Sequence, residues 1–311
     1  MGKRIRNNLS FLPFKNLNME SCYISLSILL LPGNLFSQKI TLNGVVKDTN
    51  NALAYSSIEV LSKKRGVITD DSGKFTIEVD KADTLLVKSL GYKSKYISDF
   101  SSNDISVILE LDTFVLTTIT VQPRDQKIAE KGFTEKKPKS GYRSRPGSII
   151  AYLIQYDDKF GDEQILNDVS IFIDNEDVIT TPIRIRCMNV AKEKLEPDKD
   201  MYKESIILYP KKGGSWYKID LNYLNIKIPQ KGLFICFEYF QDSPKYYVES
   251  TMKNSDGTKR KYQSYGNTLG AYWSNEPNMT WHKTIGDMWF QRLEKINNKT
   301  MNLAIKYSVY H

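Results

Sequence analysis

The sequence predicts an all-β protein that consists of an export signal followed by two β-sandwich domains. Runs of alternating apolar and polar residues recur along the chain, as strands with one buried face require. Short clusters rich in Asp, Asn, Ser and Gly separate these runs, which is typical of tight turns. The chain has 311 residues, of which 41% are hydrophobic and 12% aromatic, and this is enough for two ordinary domains with apolar cores.

Residues 1–37 have the order of residue types found in a signal peptide. Basic residues up to Lys15 precede the apolar run Tyr23–Leu31, and the small residue Ser37 precedes Gln38, where we expect cleavage. The apolar run is too short to cross a bilayer, so we expect no transmembrane segment after signal cleavage. Met19 is an alternative start, although it would leave no basic residue ahead of the apolar run. The order predicts export from the cytoplasm.

Residues 38–121 predict the first sandwich. Lys74–Val79 alternates between polar and apolar residues, and in Ile105–Leu111 every second residue is apolar, as half-buried strands require. Asp48–Asn51 and Asp70–Gly73 follow or precede such runs and supply the residue types that turns need. Strands and turns are both complete within this segment, so we expect it to fold on its own.

Five stretches of this segment form a recognisable pattern: Asn43–Asp48, Ala54–Val60, Gly66–Phe75, Asp83–Leu86 and Leu90–Tyr92. With this pattern the segment resembles the carboxypeptidase regulatory-like domain, a transthyretin-like β-sandwich of about seven strands. This domain is also similar to the N-terminal extension of many TonB-dependent outer-membrane receptors of Gram-negative bacteria. The resemblance implies a non-catalytic module that is periplasmic, associated with the outer membrane or on the cell surface.

Residues 122–147 predict a basic linker. The segment carries eight Lys or Arg residues against three Asp or Glu residues and shows no apolar periodicity. We interpret it as a charged spacer, and binding of anionic lipid or lipopolysaccharide is the alternative. The net charge of the whole chain, +8, is spread along the sequence without a nucleic-acid-binding motif, so we expect no nucleic-acid partner.

Residues 148–311 predict a second sandwich, of jelly-roll-like type. Many short strand-like runs alternate with turn clusters, and a helix is expected only as a short piece near Ile285–Arg292. The strand-like runs are Ser148–Tyr156, Val169–Ile173, Ile183–Val190, Ser205–Tyr209, Trp216–Leu221, Leu233–Phe240 and Leu303–Val309.

No catalytic constellation can be assembled from the sequence. The chain has two histidines, His282 and His311, and lacks the zinc-peptidase motifs and the Gly-x-Ser-x-Gly elbow. We interpret His282 as an ordinary loop or surface residue. A carboxylate pair such as glycosidases use stays open for Asp220 with Glu238 or Glu249. We expect no enzymatic activity, no cofactor and no metal.

Three carboxylates in the first domain could suggest calcium. Asp48, Asp70 and Asp71 lie in turns, but the spacing of a calcium-binding loop and its distal Glu are absent. We interpret them as residues that cap turns.

Two cysteines remain after signal cleavage, Cys187 and Cys236, and each falls within a strand-like run. Export permits a disulfide between them. The other interpretation is two buried thiols that pack as small apolar residues.

Aromatic residues are concentrated in the second half of the chain, and they define two hypotheses for function. We favour a non-catalytic module that mediates protein assembly or contacts at the cell envelope, with a partner protein that the sequence does not name. The alternative is a glycan-binding module that uses loop aromatics, and the candidate contacts are Tyr265, Tyr272, Trp273 and Trp281. An exposed sheet edge or apolar patch would favour the first, and a contiguous platform of rings the second.

Overall fold

Two β-sandwiches make up the described part of the chain. The structure is a computed structural model and describes residues 39–112, 127–174, 180–254, 256–292 and 295–311. The predicted signal peptide and the first part of the predicted linker lie outside these residues. The segment Lys39–His311 forms one compact unit, within which both sandwiches lie.

The N-terminal sandwich, residues 39–112, has seven strands among its described residues, as the resemblance implies. Strands β4, β1 and β7 form one sheet, in which β1 pairs antiparallel with β4 and parallel with β7. Strands β3, β2, β5 and β6 form the other sheet in that order. The strands are β1 (Lys39–Lys47), β2 (Ser57–Val60), β3 (Arg65–Ile68), β4 (Lys74–Asp80), β5 (Leu85–Lys88), β6 (Lys95–Ile97) and β7 (Asp104–Ile108).

The core of the N-terminal sandwich lies between these two sheets. The apolar residues of Lys74–Val79 are buried and its polar residues exposed, so the predicted alternation is confirmed. In the run Ile105–Leu111 it extends only to Leu109, because Leu111 lies beyond β7 and is exposed. Each large apolar side chain buried here contributes about 1.5–3 kcal/mol to stability. The buried core residues are Leu42, Val46, Leu53, Ile58, Val60, Phe75, Ile77, Val79, Leu85, Val87, Val107 and Leu109.

Two of the three predicted turn carboxylates, Asp48 and Asp70, cap turns. Asp48 accepts hydrogen bonds from the backbone N–H groups of Asn50 and Asn51, at 2.7 and 2.6 Å. Asp70 accepts the backbone N–H groups of residues 72 and 74, at 2.9 and 2.8 Å. Gly73 has a φ of +72°, which favours glycine because it lies in the left-handed region. Local hydrogen bonding therefore accounts for both Asp48 and Asp70.

The C-terminal sandwich, residues 127–311, begins within the segment that the sequence predicts as a linker. Strand β8 pairs with β22, and strand β9 pairs with β19. The linker prediction is therefore wrong for the described residues from 127 onward. Strands at the margin of a sheet are held by backbone hydrogen bonds, so their sequences need little apolar periodicity.

The two sheets of the C-terminal sandwich differ in size among the described residues. The six-stranded sheet has the order β13-β12-β17-β10-β20, with β14 beside β12. The nine-stranded sheet has the order β18-β19-β11-β22-β8, with β15 and β16 beside β11 and with β9 and β21 beside β19. The strands are β8 (Ile128–Gly132), β9 (Ser140–Ser144), β10 (Ile149–Ile154), β11 (Ile165–Ile173), β12 (Ile183–Val190), β13 (Pro197–Asp200), β14 (Ile206–Leu208), β15 (Ser215–Asp220), β16 (Ile226–Lys227), β17 (Leu233–Glu238), β18 (Tyr247–Lys253), β19 (Lys259–Ser274), β20 (Thr280–Lys283), β21 (Thr300–Leu303) and β22 (Ile305–Tyr310).

All seven strand-like runs of the second domain coincide with observed strands, but the predicted helix does not. Residues 285–292 contain turns and an isolated bridge, in which Phe290 exchanges two backbone hydrogen bonds with His282. Gly286, with a φ of +76°, lies in the same segment and is incompatible with a regular helix. Helical structure among the described residues consists of three short 3₁₀ turns, Asp158–Phe160, Asn222–Leu224 and Pro244–Tyr246.

The two sandwiches contact each other directly. The Tyr55 ring packs edge-on against the Phe240 ring, with centroids 5.1 Å apart. Lys64 and Asp287 form an ion pair of 3.3 Å. Gly286 lies so close to the backbone of Arg65 that an added Cβ would lie 2.5 Å from it. This contact sets the four-stranded sheet of one sandwich against the six-stranded sheet of the other.

Candidate functional site

A cleft of about 510 Å³ lies between the two sandwiches, and we refer to it as the charged cleft. Strands β2 and β5 form one wall. Ile58 and Val60 of β2 face the N-terminal core, so the intervening Glu59 points to the opposite side, into the cleft. Lys88, at the end of β5, lies beside it. The volume is within the range that small-molecule sites occupy.

The opposite wall is the outer face of the six-stranded sheet. Cys187 on β12 and Ile235 on β17 pair with each other and face the core. The alternation of the strand therefore places Arg184 and Arg186 on the outer face, together with Glu238. Lys283, on strand β20 at the edge of the same sheet, lines the same cleft.

Three buried charges on this wall form a connected network with Asp200. The Arg186 guanidinium donates two hydrogen bonds to the Asp200 carboxylate, at 2.8 and 2.6 Å. Glu238 lies 3.3 Å from Arg184 and 3.4 Å from Arg186. Burial alone would raise the pKa of Glu238, but Arg186 and Arg184 more than offset this and hold its pKa below the ordinary value. Glu238 is therefore an ionised carboxylate that is largely shielded from solvent.

Glu59 is shared by two lysines from different sandwiches. Lys88 Nζ lies 3.1 Å from both carboxylate oxygens, and Lys283 Nζ lies 3.9 Å from Oε1. Burial lowers the pKa of Lys283 to about 8; Glu59 opposes this shift, and the positive charges of Lys88 and Arg186 add to it. A desolvated amine that lies among other cations is well suited to bind an anion.

Aromatic rings line the rest of the charged cleft. Tyr55, Tyr92, Phe240 and Trp289 all contribute to its walls. The Arg184 guanidinium lies 4.4 Å from the centroid of the Phe240 ring, which is a cation–π distance. Amphipathic rings beside charged groups are typical of sites for polar ligands with an apolar face.

The rings predicted as glycan contacts do not form a platform. Tyr265 is buried in the core of the C-terminal sandwich and donates a hydrogen bond to the Gln241 carbonyl. Tyr272 and Trp273 are consecutive in β19, so they point to opposite sides of the strand. Tyr272 packs on Phe133, with ring centroids 5.0 Å apart.

Trp273 and Trp281 are partly buried. Trp273 Nε1 donates a hydrogen bond of 3.0 Å to the hydroxyl of Ser140. Trp281 packs edge-on against Phe234 in an apolar cluster on the outer face of the six-stranded sheet. The proposed ring contacts therefore act as packing residues at separate places, and a contiguous stacking surface built from these four rings is not present.

Cys187 and Cys236 are buried free thiols, so the disulfide alternative is wrong. Cys187 pairs with Ile235 and faces the core, whereas Cys236 pairs with Arg186 and faces the outer side of the same sheet. Side chains on opposite faces of a sheet cannot meet the geometry of a disulfide.

His282 is buried on β20, which corrects its interpretation as a loop or surface residue. Its ring lies between those of Tyr142 and Phe290, at centroid distances of 4.7 and 5.7 Å. Burial, with a smaller effect of Arg292, lowers the pKa of His282 to about 3, so the residue is neutral at pH 7. A catalytic base needs a polar partner, and neither of these two ring contacts supplies one.

The open carboxylate pairing does not form. Asp220 lies on the nine-stranded sheet and caps the Asn222 backbone N–H at 3.0 Å. Glu249 lies on the same sheet and pairs with Lys261 at 3.5 Å. Glu238 faces the charged cleft from the other sheet. Across the described residues, no group of three or more His, Cys, Asp or Glu side chains could hold a metal ion.

A second feature is an exposed apolar edge of the N-terminal sandwich, which we refer to as the open edge. Strands β6 and β7 are the last strands of their sheets among the described residues, and Lys95 of β6 donates a hydrogen bond of 3.2 Å to the Ile108 carbonyl of β7. Three large apolar side chains are exposed along it: Tyr96 at 65%, Ile108 at 46% and Leu111 at 62%.

Comparison with known proteins confirms the resemblance of the first domain. Residues 42–121 match the family model of the CarboxypepD_reg-like domain. The chain is 32% identical over 109 residues to the TonB-dependent receptor SusC of Bacteroides thetaiotaomicron. That match covers 35% of this chain and 10% of the receptor, so the chain spans about a tenth of the length of this relative.

Solved structures give weaker similarities. A DUF3823 family protein from Parabacteroides merdae matches 66% of this chain and 100% of its own, with 10% identity and a TM-score of 0.19. T=1 particles derived from infectious bursal virus match 88% of this chain and 58% of their own, with 8% identity and a TM-score of 0.23. These TM-scores are too low to support an argument from structure. Among the described residues, no helix has the length and hydropathy to span a membrane.

Sequence reasoning missed the charged cleft, although one signal for it was present. Arg184 and Arg186 alternate with Ile183, Ile185 and Cys187 within one strand-like run. Two arginines on one face of a central strand require buried partners. The partners Asp200 and Glu238 lie on other strands, β13 and β17, which only the fold of the sheet brings beside β12.

Proposed function

We propose that this protein is an exported, non-catalytic module of a Gram-negative cell envelope, and that it acts through contacts with another protein near the outer membrane. The match of residues 42–121 to the CarboxypepD_reg-like domain and the similarity to a TonB-dependent receptor support this location. The observation that carries the contact function is the open edge.

The open edge fits an extended segment of a partner protein. The backbone groups that β6 and β7 leave free at this edge offer pairing to a partner strand. At its far end the edge is already closed, because Leu111 is bridged to Tyr92 and Lys93 N–H donates to the Glu110 carbonyl. Tyr96, Ile108 and Leu111 would supply apolar contacts for alternate side chains of that strand. Soluble proteins usually blunt such edges with charge, and Lys93, Lys95 and Glu110 supply charge here. The three large apolar side chains that stay exposed among these charges favour an interaction surface.

Site-specific photo-cross-linking in the native host tests the proposal. A benzophenone amino acid in place of Tyr96 should give a discrete adduct with one envelope protein. The matched control replaces Tyr209, which is 60% exposed on the C-terminal sandwich, and should not give that adduct. Equal adducts from both positions, or none from either in cells that export the protein, would overturn the proposal.

The non-catalytic part of the proposal has its own test. Panels of peptide and glycoside substrates should show no turnover by the purified protein. Of the carboxylates considered for catalysis, Glu238 is the one that lines the charged cleft. Turnover that is abolished by Glu238→Gln would therefore contradict the non-catalytic proposal.

A further inference from the structure

We propose that the charged cleft binds a small monoanionic ligand, a carboxylate carried on a body the size of one or two sugar rings, with Lys283 as its principal contact. This site is distinct from the open edge and does not rest on the proposed contact function. Glycan recognition through the predicted loop aromatics is replaced by recognition in a cleft that both sandwiches build.

The charge of the cleft carries the first step. Seven cationic and five anionic side chains line it. Its inner part holds four cations, Lys88, Arg184, Arg186 and Lys283, against three anions, Glu59, Asp200 and Glu238. The inner part of the cleft therefore carries one more positive charge than negative charges. Buried charges are stable when they are paired, so an anion that enters completes the set.

Lys283 is the cation that lacks a close partner within this inner set. Asp200 holds Arg186 with two hydrogen bonds, and Glu238 lies 3.3 Å from Arg184. Glu59 lies closer to Lys88, at 3.1 Å, than to Lys283, at 3.9 Å. The side chain of Lys283 is nevertheless only 17% exposed. A carboxylate could pair with its ammonium without displacing any of these bonds.

The shape and the rings of the cleft select the rest of the ligand. A volume of about 510 Å³ exceeds what an inorganic ion needs and fits a body of one or two sugar rings. Tyr55, Phe240 and Trp289 offer apolar faces, and the ionised side chains offer hydrogen bonds to hydroxyl groups. A single missing charge matches a carboxylate better than a phosphate ester, which carries about −1.5 to −2 at pH 7.

Calorimetric titration of the full mature protein tests the assignment with three matched probes: glucuronate, glucose and glucose 6-phosphate. Glucuronate differs from glucose by one carboxylate, and we expect it alone to bind measurably. Lys283→Gln should weaken glucuronate binding about tenfold or more, because a hydrogen bond to a charged group is lost. The control Lys261→Gln removes a lysine with an 80% exposed side chain and should leave binding unchanged.

A second readout separates contact from folding. The affinity for glucuronate should fall as the pH rises from 7 to 9, when Lys283 loses its proton. The charged groups that face this region are Glu59 on β2, Lys88 on β5, Arg184 and Arg186 on β12, Asp200 on β13 and Glu238 on β17. If Lys283→Gln unfolds the protein, Lys88→Gln, which removes a more exposed lysine of the same cluster, should still weaken glucuronate.

Three results would overturn the inference. Equal binding of glucuronate and glucose would remove the carboxylate from recognition. Preference for glucose 6-phosphate would contradict a monoanion. Equal losses in Lys283→Gln and Lys261→Gln would show a general effect of net charge. None of these results bears on the cross-linking test of the open edge, so the two proposals fail separately.

Discussion

Replacement of Glu238 by Gln should destabilise the C-terminal sandwich strongly. The Glu238 side chain is only 13% exposed and lies 3.3 Å from Arg184 and 3.4 Å from Arg186. Gln keeps the volume and one acceptor oxygen but removes the charge. Arg184 would retain the Ser205 hydroxyl at 3.2 Å and the face of the Phe240 ring. Arg186 would retain Asp200.

We expect a loss of about 3 kcal/mol in the free energy of unfolding, at the lower end of the range for breaking a buried ion pair, because each arginine keeps another partner. Urea unfolding followed by tryptophan fluorescence measures it. The control Glu249→Gln breaks an exposed pair with Lys261 and should cost at most about 0.5 kcal/mol. All four tryptophans lie in the C-terminal sandwich, so this signal reports that sandwich alone: Trp216, Trp273, Trp281 and Trp289.

The pH dependence of the same comparison gives an independent check. The folded-state pKa of Glu238 lies below its ordinary value, so its stabilisation is fully present above the unfolded pKa of about 4.3. It is lost as the pH falls through the folded-state pKa. The difference between wild type and Glu238→Gln should be largest near pH 7 and shrink below about pH 4. A difference within about 0.5 kcal/mol at pH 7, similar to the surface control, would refute the buried network.

Three further predictions follow from packing. On acidification from pH 7 to 4, the His282→Phe variant should lose less stability than the wild type. Burial lowers the pKa of His282 to about 3, so its contribution to wild-type stability is fully present above about pH 6.5 and is lost as the pH falls. Melting temperatures measure this, and identical acid losses would contradict it. Gly286→Ala should lower the urea midpoint more than Gly161→Ala, since both glycines have positive φ but only Gly286 lies against another backbone; equal shifts would argue against the contact between the sandwiches. Cys187 and Cys236 should react with a thiol reagent only after unfolding, because both are buried and burial raises the pKa of both thiols; labelling of the native protein would contradict this.

The N-terminal sandwich could be predicted from sequence because its signals are local. The alternation of Lys74–Val79 is a property of one strand, and the caps at Asp48 and Asp70 involve residues at most four positions away. The central strands β12 and β17 of the second sandwich could be predicted for the same reason, since each is a largely apolar run. Strand β8 was missed because backbone pairing with β22, a non-local contact, holds it in place.

The charged cleft could not be predicted because no local pattern encodes it. Glu59, Arg186 and Lys283 lie on three strands of two sandwiches, and only the contact between the sheets brings them together. His282 shows the opposite failure. Its single polar position beside Trp281 suggests exposure, yet pairing of β20 with β10 turns it towards the core. In each case the decisive information is the partner strand.

The proposed role of the open edge is tested most directly by one comparison of charged substitutions in the native host. Ile108→Lys places a charge on edge strand β7, and the control Ile128→Lys places one on β8, the last strand of the nine-stranded sheet in the described part of the chain. Both side chains are exposed, at 46% and 56%, so neither change should unfold the protein. Co-purification of the envelope protein that cross-links at position 96 should be lost with Ile108→Lys and kept with Ile128→Lys. Retention of that partner by Ile108→Lys, or loss from both variants, would contradict the account.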